Sequence, residues 1–165
     1  MHVGPTILVL PNTWDVASAR IFEKAGFPAL ATTSAGIANS LGYPDGQRVP
    51  LDEMLHVVER IAEAVHVPVT ADMEAGYGIT DHAIAKTVAG VISAGAIGIN
   101  LEDGTTDPET ALCDPDVHIR KIGIARQVAQ STGIPLVINA QTDSFLLQVG
   151  DPQSRMRETI LRGNA

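Results

Sequence analysis

Short apolar runs alternate along the chain with longer segments in which apolar residues recur every three or four positions. Near-continuous apolar runs indicate buried strands, and spacings of three and four indicate amphipathic helices. The alternation predicts five strand-then-helix units with a period of about thirty residues, which is typical of a parallel sheet. The predicted strands are residues 7–10, 28–33, 66–72, 96–101 and 135–139.

Helix boundaries follow from capping residues and glycines. The first helix is predicted over residues 15–25, with Asn12 or Thr13 as its cap and Gly26 directly after its last turn. Two long polar loops are predicted over residues 38–50 and 104–116. The remaining helices are predicted at residues 51–64, 81–94, 117–132 and 151–162.

The strand-to-helix connections are long and polar, whereas the helix-to-strand connections are short. In parallel α/β folds the carboxyl ends of the strands carry the ligand site, so we expect the polar residues after each strand to lie together. Those residues are Asn12, Trp14, Ser34, Gly36, Asp45, Asp72, Glu74, Glu102, Asp103, Asn139, Gln141 and Asp143.

The central stretch is residues 69–78, a buried strand that ends in Asp72 and Glu74 and turns at Gly76 and Gly78. Carboxylates there are costly unless they bind a cation or join a hydrogen-bond network, although a solvated turn is the simpler alternative. Oxygen donors without His or Cys beside them favour Mg²⁺ or Mn²⁺ over zinc. We therefore expect one acid to bind the metal directly and the others to hold its waters.

The charge balance narrows the class of partner. Eleven basic and 19 acidic residues give a net charge of -8 with no basic run, which predicts no nucleic-acid and no membrane partner. A small anionic substrate remains compatible, because a bound divalent ion inverts the local field. One cysteine excludes an intrachain disulfide, and no apolar run approaches the ~20 residues of a membrane span. We expect a cytoplasmic protein without a signal peptide.

Six motifs occur in order along the chain, among them Ala-Asp-Met-Glu-Ala-Gly-Tyr-Gly at residues 71–78 and Ile-Asn-Leu-Glu-Asp-Gly at residues 99–104. With the motifs at residues 11–20, 31–36, 41–46 and 139–143, the chain resembles the isocitrate lyase and phosphoenolpyruvate mutase superfamily, in particular its phosphoenolpyruvate phosphonomutase-like branch. The resemblance implies an α/β fold of the (β/α)₈ TIM-barrel type. This chain supplies about five of its β/α units as a single partial barrel domain over residues 1–165.

The resemblance also implies a function. Members use Mg²⁺ to make or break a C–C, C–P or P–O bond beside a small 2-oxo acid or enol-phosphate, through an enolate. It implies Asp72 as the direct metal ligand, Asp45, Glu74 and Glu102 as holders of metal-bound water, and Asp45 and Glu102 as the catalytic groups. The substrate-binding residues are predicted to be Ser34, Gly36, Asn139 and Gln141.

Three positions depart from the family pattern. Glu74 stands where aspartate is usual, and Gln141 replaces an arginine, so a neutral amide stands in the place of a bidentate cation. The loop around Cys113 lacks the Lys-Cys-Gly-His motif of the lyases, and no cationic neighbour in the sequence activates this thiol. We therefore do not expect an isocitrate lyase reaction as such.

Alternative interpretations remain for the chain and for single residues. A truncated, inactive member that binds metal or a small acid is the second functional hypothesis, and a nucleotide-binding domain is disfavoured because no Gly-x-Gly-x-x-Gly follows the first strand. An open five-strand sheet has apolar edges, which predicts a homo-oligomer, either a dimer or a tetramer. Residues 34–36 could be only a small-residue turn, and Trp14 and Tyr77 could serve packing alone. Surface or hydrogen-bonded positions are predicted for four histidines, His56, His66, His82 and His118.

Overall fold

The five strands form one parallel sheet in sequential order. A computed structural model describes residue 4, residues 7–107 and residues 109–165. The sheet order is β1-β2-β3-β4-β5, and every neighbouring pair is parallel. The strands are β1 (Asn12–Thr13), β2 (Leu30–Thr32), β3 (Val69–Asp72), β4 (Gly98–Glu102) and β5 (Val137–Gln141).

Helices follow the strands, with two between β2 and β3. The helices of the described residues are α1 (Val16–Lys24), α2 (Ser34–Leu41), α3 (Leu51–Ala64), α4 (Asp81–Ser93), α5 (Pro115–Thr132) and α6 (Pro152–Gly163). A side chain caps the N-terminus of each of these helices except α3. In α1 the cap is Asp15, whose Oδ1 accepts from Ser18 N at 2.7 Å.

Sequential parallel order is the winding of a β/α barrel, because right-handed crossovers then place every helix on the same face of the sheet. Burial along the strands agrees. In β4, Ile99 and Leu101 are fully buried against the helices, whereas Asn100 and Glu102 are partly exposed on the other face. The predicted α/β fold with five parallel strands is confirmed.

The hydrophobic core lies between the sheet and the helices. Ala71, Ile99 and Leu101 meet the apolar stripe of the helices, represented by Met54 and Val88. This packing fixes which residues face the opposite side, because successive strand residues alternate between faces. The opposite side is an open groove, and its polar end is the candidate site.

The prediction of the first strand was wrong. It was placed at residues 7–10, but β1 is Asn12–Thr13, paired with Ala31 and Thr32 of β2. The ladder begins where the Pro11 carbonyl accepts from Ala31 N at 3.0 Å, and Pro11 itself has no N–H to donate. The apolar run before it lies outside the sheet, and Ile7 is 87% exposed.

The polar loop predicted from residue 38 was also wrong in part, because α2 occupies Ser34–Leu41. Thr33 caps this helix by accepting from Gly36 N at 3.3 Å, and Gly42 ends it with φ of 83°. The sequence did not predict this helix because Gly36, like any glycine, has a low helix propensity. Asp15, rather than Asn12 or Thr13, caps α1.

Strand ends extend slightly beyond the prediction, since β4 runs to Glu102 and β5 to Gln141. The edges of the sheet are β1 and β5, and the predicted homo-oligomer that would cover them stays a prediction. Among the described residues, no helix combines the length and apolarity that crossing a membrane requires. The cytoplasmic location likewise stays a prediction.

Candidate active site

The strand register collects the predicted acids and amides at one edge of the sheet. Asp72 is level with Asn100, Asn100 with Asn139, and Glu102 with Gln141. Because the strands are parallel and these residues lie on the groove side, their side chains meet across β3, β4 and β5. The predicted clustering of strand-end polar groups therefore occurs for these three strands.

Both carboxylate oxygens of Asp72 accept hydrogen bonds. Oδ2 accepts from the Ser34 backbone N at 2.9 Å and from Ser34 Oγ at 2.8 Å. Oδ1 accepts from Asn100 Nδ2 at 3.2 Å and from Glu74 N at 3.3 Å. The N-terminus of α2 thus orients the Asp72 side chain, because the backbone N–H and the hydroxyl of Ser34 both donate to it.

Asn100 lies at the centre of the polar network. Its Nδ2 lies 3.2 Å from Asp72 Oδ1, 3.4 Å from Glu102 Oε1 and 3.2 Å from Gln141 Oε1. Its Oδ1 accepts from Asn139 Nδ2. Since an amide nitrogen has only two hydrogens, three acceptors compete for them. Asn100 therefore links the polar groups of three adjacent strands.

Gln141 continues the network toward β5 and the following turn. Its Nε2 donates to Glu102 Oε1 at 3.0 Å and to Asp143 Oδ1 at 2.8 Å. Its Oε1 accepts from Asn100. Both amide hydrogens of Gln141 are therefore used within the protein.

Glu74 lies in the turn after β3, with a φ of 50° and only 6% exposure. The turn is held from both sides. Gln47 donates its backbone N–H to the Glu74 carboxylate and accepts from Tyr77 N at 2.9 Å. From the helix side, Lys121 Nζ donates to the Ala75 carbonyl at 2.9 Å. Glu74 is thereby fixed beside Asp72.

The acids repel one another electrostatically. Burial raises the pKa of Glu74 to about 7, against a lowering by the Gln47 N–H, and the charges of Asp45 and Asp72 add smaller increases. Burial, Asp72 and Asp143 raise the pKa of Glu102 to about 8. Burial also raises the pKa of Asp143. A cation would relieve this repulsion.

Carboxylate oxygens are the candidate metal ligands around Asp72. Within the described part of the chain, no group of three or more His, Cys, Asp or Glu side chains is arranged to hold a metal ion. Mg²⁺ keeps several waters and takes only one or two direct carboxylates, so it does not require such a group. The carboxylates of Asp72, Glu74 and Glu102 offer only oxygen donors and act on one another through their charges, which fits Mg²⁺ held by one direct carboxylate and by bound water.

Asp45 and Gly36 take different places around this centre. Asp45 is exposed in the loop after α2 and accepts from Gly46 N at 2.9 Å. Its negative charge nevertheless raises the pKa of Glu74. At Gly36 a Cβ atom would lie 2.6 Å from Thr33 Cγ2 and 3.0 Å from Trp14 Cβ. Close packing of the first turn of α2 against Thr33 and Trp14 therefore accounts for this glycine.

A groove of about 820 Å³ runs along the open face of the sheet to the acids. Asn139 is exposed in it, and Asp72, Asn100 and Gln141 line its polar end. Its walls are otherwise largely apolar. They include Leu8, Leu10, Ala31, Ile97 and Val137.

Asp103, next to Glu102, lies on the helix side. It is fully buried, its Oδ2 accepts from Arg162 Nη1 at 3.1 Å, and its Oδ1 accepts from Asp143 N at 2.8 Å. The same Arg162 nitrogen donates to the Cys113 carbonyl at 2.8 Å. This ion pair therefore ties α6 to the loops after β4 and β5.

The prediction for His118 was wrong. Its ring is 9% exposed, and both ring nitrogens are buried without a hydrogen-bond partner. Burial lowers its pKa, so the ring is neutral at pH 7. Lys121 and Arg162 lie near enough to Cys113 to lower its pKa, but burial outweighs them and raises it. Cys113 is thus not an activated thiol.

Asn100 was not predicted as a site residue, and Asp143 was counted among the strand-end polar residues without a role in the site. The signal was the two-residue period of the strands. Asn100 precedes Glu102 by two positions, and Asp143 follows Gln141 by two. Tyr77 was left open between site and packing. Its hydroxyl is buried without a hydrogen-bond partner, and burial, followed by the charges of Glu74 and Asp72, raises its pKa.

Several known proteins are similar to this chain in sequence. The profile of the phosphoenolpyruvate phosphomutase family matches residues 1–165. An uncharacterized protein of Mycobacterium tuberculosis is 35% identical over 161 residues, which is 97% of this chain and 58% of that protein. The 2-methylisocitrate lyase of Escherichia coli K12 is 29% identical over 148 residues, 86% of this chain and 49% of the lyase. The chain thus spans about half the length of these relatives.

Solved structures agree on the fold. A candidate phosphonomutase from Burkholderia cenocepacia J2315 superposes with a TM-score of 0.87 at 42% identity, over 94% of this chain and 63% of that one. An oxaloacetate acetylhydrolase in complex with its product oxalate gives 0.78 at 31% identity, over 95% and 56%. A phosphonopyruvate hydrolase with oxalate and Mg²⁺ gives 0.82 over 94% and 52%, and at 22% identity shows the fold alone.

Proposed function

The chain belongs to the phosphoenolpyruvate mutase/isocitrate lyase superfamily, whose members are lyases, mutases and hydrolases of small acids, and from this premise we propose a magnesium-dependent enzyme of that kind. The proposed substrate is a small 2-oxo acid or enol-phosphate, cleaved at a C–C, C–P or P–O bond. One observation carries the proposal. Asp72 is oriented by Ser34 and Asn100 beside two acids of raised pKa, at the end of a groove.

Each acid has a part in this proposal. Asp72 would hold Mg²⁺ directly, and Glu74 and Glu102 would hold it through water. When bound, the metal supplies Lewis-acid stabilisation of negative charge that develops on a substrate oxygen. Ser34 and Asn100 keep the Asp72 carboxylate in one orientation, which lowers the reorganisation that metal binding requires.

Proton movement is the part proposed for Glu102 and Asp45. Without a metal the pKa of Glu102 is about 8, and a bound Mg²⁺ would lower it toward neutrality, so the Glu102 carboxylate can accept a proton from a bound acid and return it. Asp45 lies in an exposed loop, close enough for its charge to raise the pKa of Glu74, and would act on the solvent side. Asn139, which faces the groove, is the proposed substrate contact among the four predicted ones.

Thermal unfolding with and without Mg²⁺ and oxalate, a mimic of enolpyruvate, tests the proposal. We expect the melting temperature to rise only when both are present, because the anion and the metal bind together. Asp72→Ala should abolish the shift. Asp52→Ala, which removes an exposed acid of α3, is the matched control and should retain it. A wild-type protein with no Mg²⁺-dependent shift would contradict the proposal.

A catalytically inactive member that binds metal or a small acid is the second candidate. The observation that favours it is Gln141, whose amide hydrogens are both given to Glu102 and Asp143 and leave none for a substrate carboxylate. Turnover of oxaloacetate or phosphoenolpyruvate above a no-enzyme control, abolished by Asp72→Ala, would exclude this candidate.

A further inference from the structure

Left-handed backbone conformations cluster around Glu74. A positive φ is costly for a residue with a side chain, and it persists only where neighbouring contacts hold it. Gln47, Glu74 and Tyr77 have φ values of 60°, 50° and 59°. The fourth described non-glycine residue of this kind is Gln148, with 52°, between β5 and α6. Three of the four therefore lie together beside the proposed metal site, although Gln47 precedes Tyr77 by 30 positions.

Hydrogen bonds of Gln47 join these three residues. Its Oε1 accepts from Tyr77 N at 2.9 Å, and its backbone N–H donates to the Glu74 carboxylate. Because an N–H donor requires an acceptor, the Gln47 amide is oriented with its oxygen toward Tyr77. One residue thus contacts both the backbone and the carboxylate of the turn after β3.

This turn is also held on its helix side. Lys121 of α5 is 2% exposed and donates from Nζ to the Ala75 carbonyl at 2.9 Å. Thr87 of α4 is fully buried and donates from Oγ1 to the Gly76 carbonyl at 2.9 Å. Two helices therefore fix the turn, which gives the contacts of Gln47 a rigid support.

The loop that carries Asp45 is anchored at both ends. Before Asp45, Tyr43 donates its backbone N–H to a carbonyl of α2 at 2.8 Å, and after it Val49 is 1% exposed in the hydrophobic core. Asp45 itself is exposed, and Gln47 follows it by two positions. The contacts of Gln47 consequently connect the middle of this loop to the turn of Glu74.

We propose that Gln47 is a positioning residue, which holds the loop of Asp45 against the turn of Glu74 and so keeps both acids in the arrangement that binds Mg²⁺ and a small acid. This inference rests on the proposed function, because Asp45 and Glu74 are acids of the proposed site. Without the Gln47 side chain the loop would have to become ordered when a ligand binds. The observed affinity would then fall with the fraction of molecules that have the binding conformation.

Titration calorimetry with oxalate in excess Mg²⁺ tests the inference. Gln47→Met keeps the length of the side chain but removes the acceptor for Tyr77 N. We expect oxalate to bind about fivefold more weakly, which corresponds to the loss of one neutral hydrogen bond. Gln148→Met is the matched control, because Gln148 is an exposed glutamine of similar φ, and it should leave the affinity unchanged. An unchanged affinity in Gln47→Met, or an equal loss in Gln148→Met, would overturn the inference.

A glycine variant separates positioning from stability. Gln47→Gly removes the acceptor and also the strain of a positive φ, so the ligand-free protein should melt at or above the temperature of Gln47→Met. A positioning role predicts that oxalate binding stays about fivefold weaker in both variants. A purely structural role predicts that affinity recovers together with stability, and that recovery would overturn the inference.

Hydrogen exchange of the protein without Mg²⁺ gives a readout that is independent of the metal. In Gln47→Met the amides of residues 44–48 and the Tyr77 N–H should exchange faster than in the wild type, because the contact that holds them is lost. The amides of α4 should exchange at the same rate in both proteins. Unchanged exchange in residues 44–48 would overturn the inference.

These measurements distinguish the inference from the proposed function. If the wild type does not bind oxalate in a Mg²⁺-dependent manner, the proposed function fails, and the inference fails with it. If the wild type binds and both Gln47 variants bind equally well, the proposed function stands and only the inference is overturned. If both variants bind more weakly and residues 44–48 exchange faster, both are supported.

Discussion

Glu102 and Asp103 are adjacent acids with opposite surroundings. Glu102 faces the groove among Asp72 and Asp143, has no cationic partner, and has its pKa raised to about 8. Asp103 faces the helices, is fully buried, and is paired with Arg162 at 3.1 Å. One residue of strand alternation separates the two environments.

The difference shows how to distinguish a structural acid from one available for a ligand. A buried carboxylate that has both a cation and backbone donors is satisfied by the fold, and its removal affects stability. A carboxylate held among other carboxylates is satisfied only when a proton or a cation is bound. The two acids should therefore respond in different ways to mutation, pH and Mg²⁺.

The largest effect is expected from Arg162→Met. This change leaves Asp103 charged and buried without its partner, so the free energy of unfolding should fall by about 3–5 kcal/mol. Urea denaturation followed by circular dichroism measures the loss. Mg²⁺ with oxalate, which we propose to bind on the groove side, should not restore the midpoint to that of the wild type.

A double variant and a neighbouring change serve as controls. Asp103→Asn combined with Arg162→Met should recover part of the loss, because the uncompensated charge is gone. Glu158→Ala, which removes the 38%-exposed second partner of Arg162, should cost less than about 1 kcal/mol. If Glu158→Ala and Arg162→Met cost the same, the Asp103 pair is not the source of stability.

The pH dependence of stability should reveal the groove acids. In the folded state the pKa values of Glu74 and Glu102 rise from their ordinary 4.5 to about 7 and about 8. The folded state thus binds more protons, so its stability should fall as the pH rises from about 4.5 to about 8. We expect a loss of about 2 kcal/mol, because water in the groove screens part of the repulsion.

Two comparisons sharpen the pH experiment, in which denaturation midpoints are measured across this range. Glu102→Gln should flatten the slope, since it removes the groove acid whose pKa is raised to about 8. Saturating Mg²⁺ should also flatten it by favouring the ionised acids. A slope that survives in Glu102→Gln at full size would assign the dependence to groups outside the groove.

A smaller effect is expected from Gly104→Ala, at the residue that directly follows Glu102 and Asp103. Its Cβ would lie 2.6 Å from Asp143 Oδ2, and the strain should cost about 1–2 kcal/mol. Gly123→Ala in α5 is the matched control, because no atom lies within 4 Å of that Cβ, and it should gain up to about 1 kcal/mol. Thermal melts of the two variants that shift equally would contradict this explanation.

Much of the fold followed from the sequence because its signals are local. Apolar runs with glycine or proline at their ends predicted β2 to β5 within a few residues, and helical spacing predicted α3 to α5. The errors lie where a local signal misled. An apolar run before Pro11 was taken for a strand, and Gly36 concealed α2, whose capping by Thr33 is seen only in the folded chain.

The candidate site shows the same division. Asp72 at the end of β3, Glu74 shortly after it and Glu102 at the end of β4 indicated a metal site. Carboxylates at the ends of buried strands are costly unless they bind a cation or join a hydrogen-bond network, and their positions can be recognised in the sequence. The tasks of the amides could not be predicted in this way. Asn100 acquires its role from oxygens on β3 and β5, which lie 28 and 41 positions away along the chain.

The sequence by itself determined the strand-helix alternation, the acidic character and the position of Asp72, Glu74 and Glu102 at strand ends, since each depends on residue type and short spacing. Only the tertiary structure decided what those groups meet. It placed Ser34 and Gln141 against the acids and gave Arg162 to Asp103 instead of Glu102. The reason is physical: hydrogen bonds and charges act over a few ångströms in space, and the packing of distant segments sets those distances.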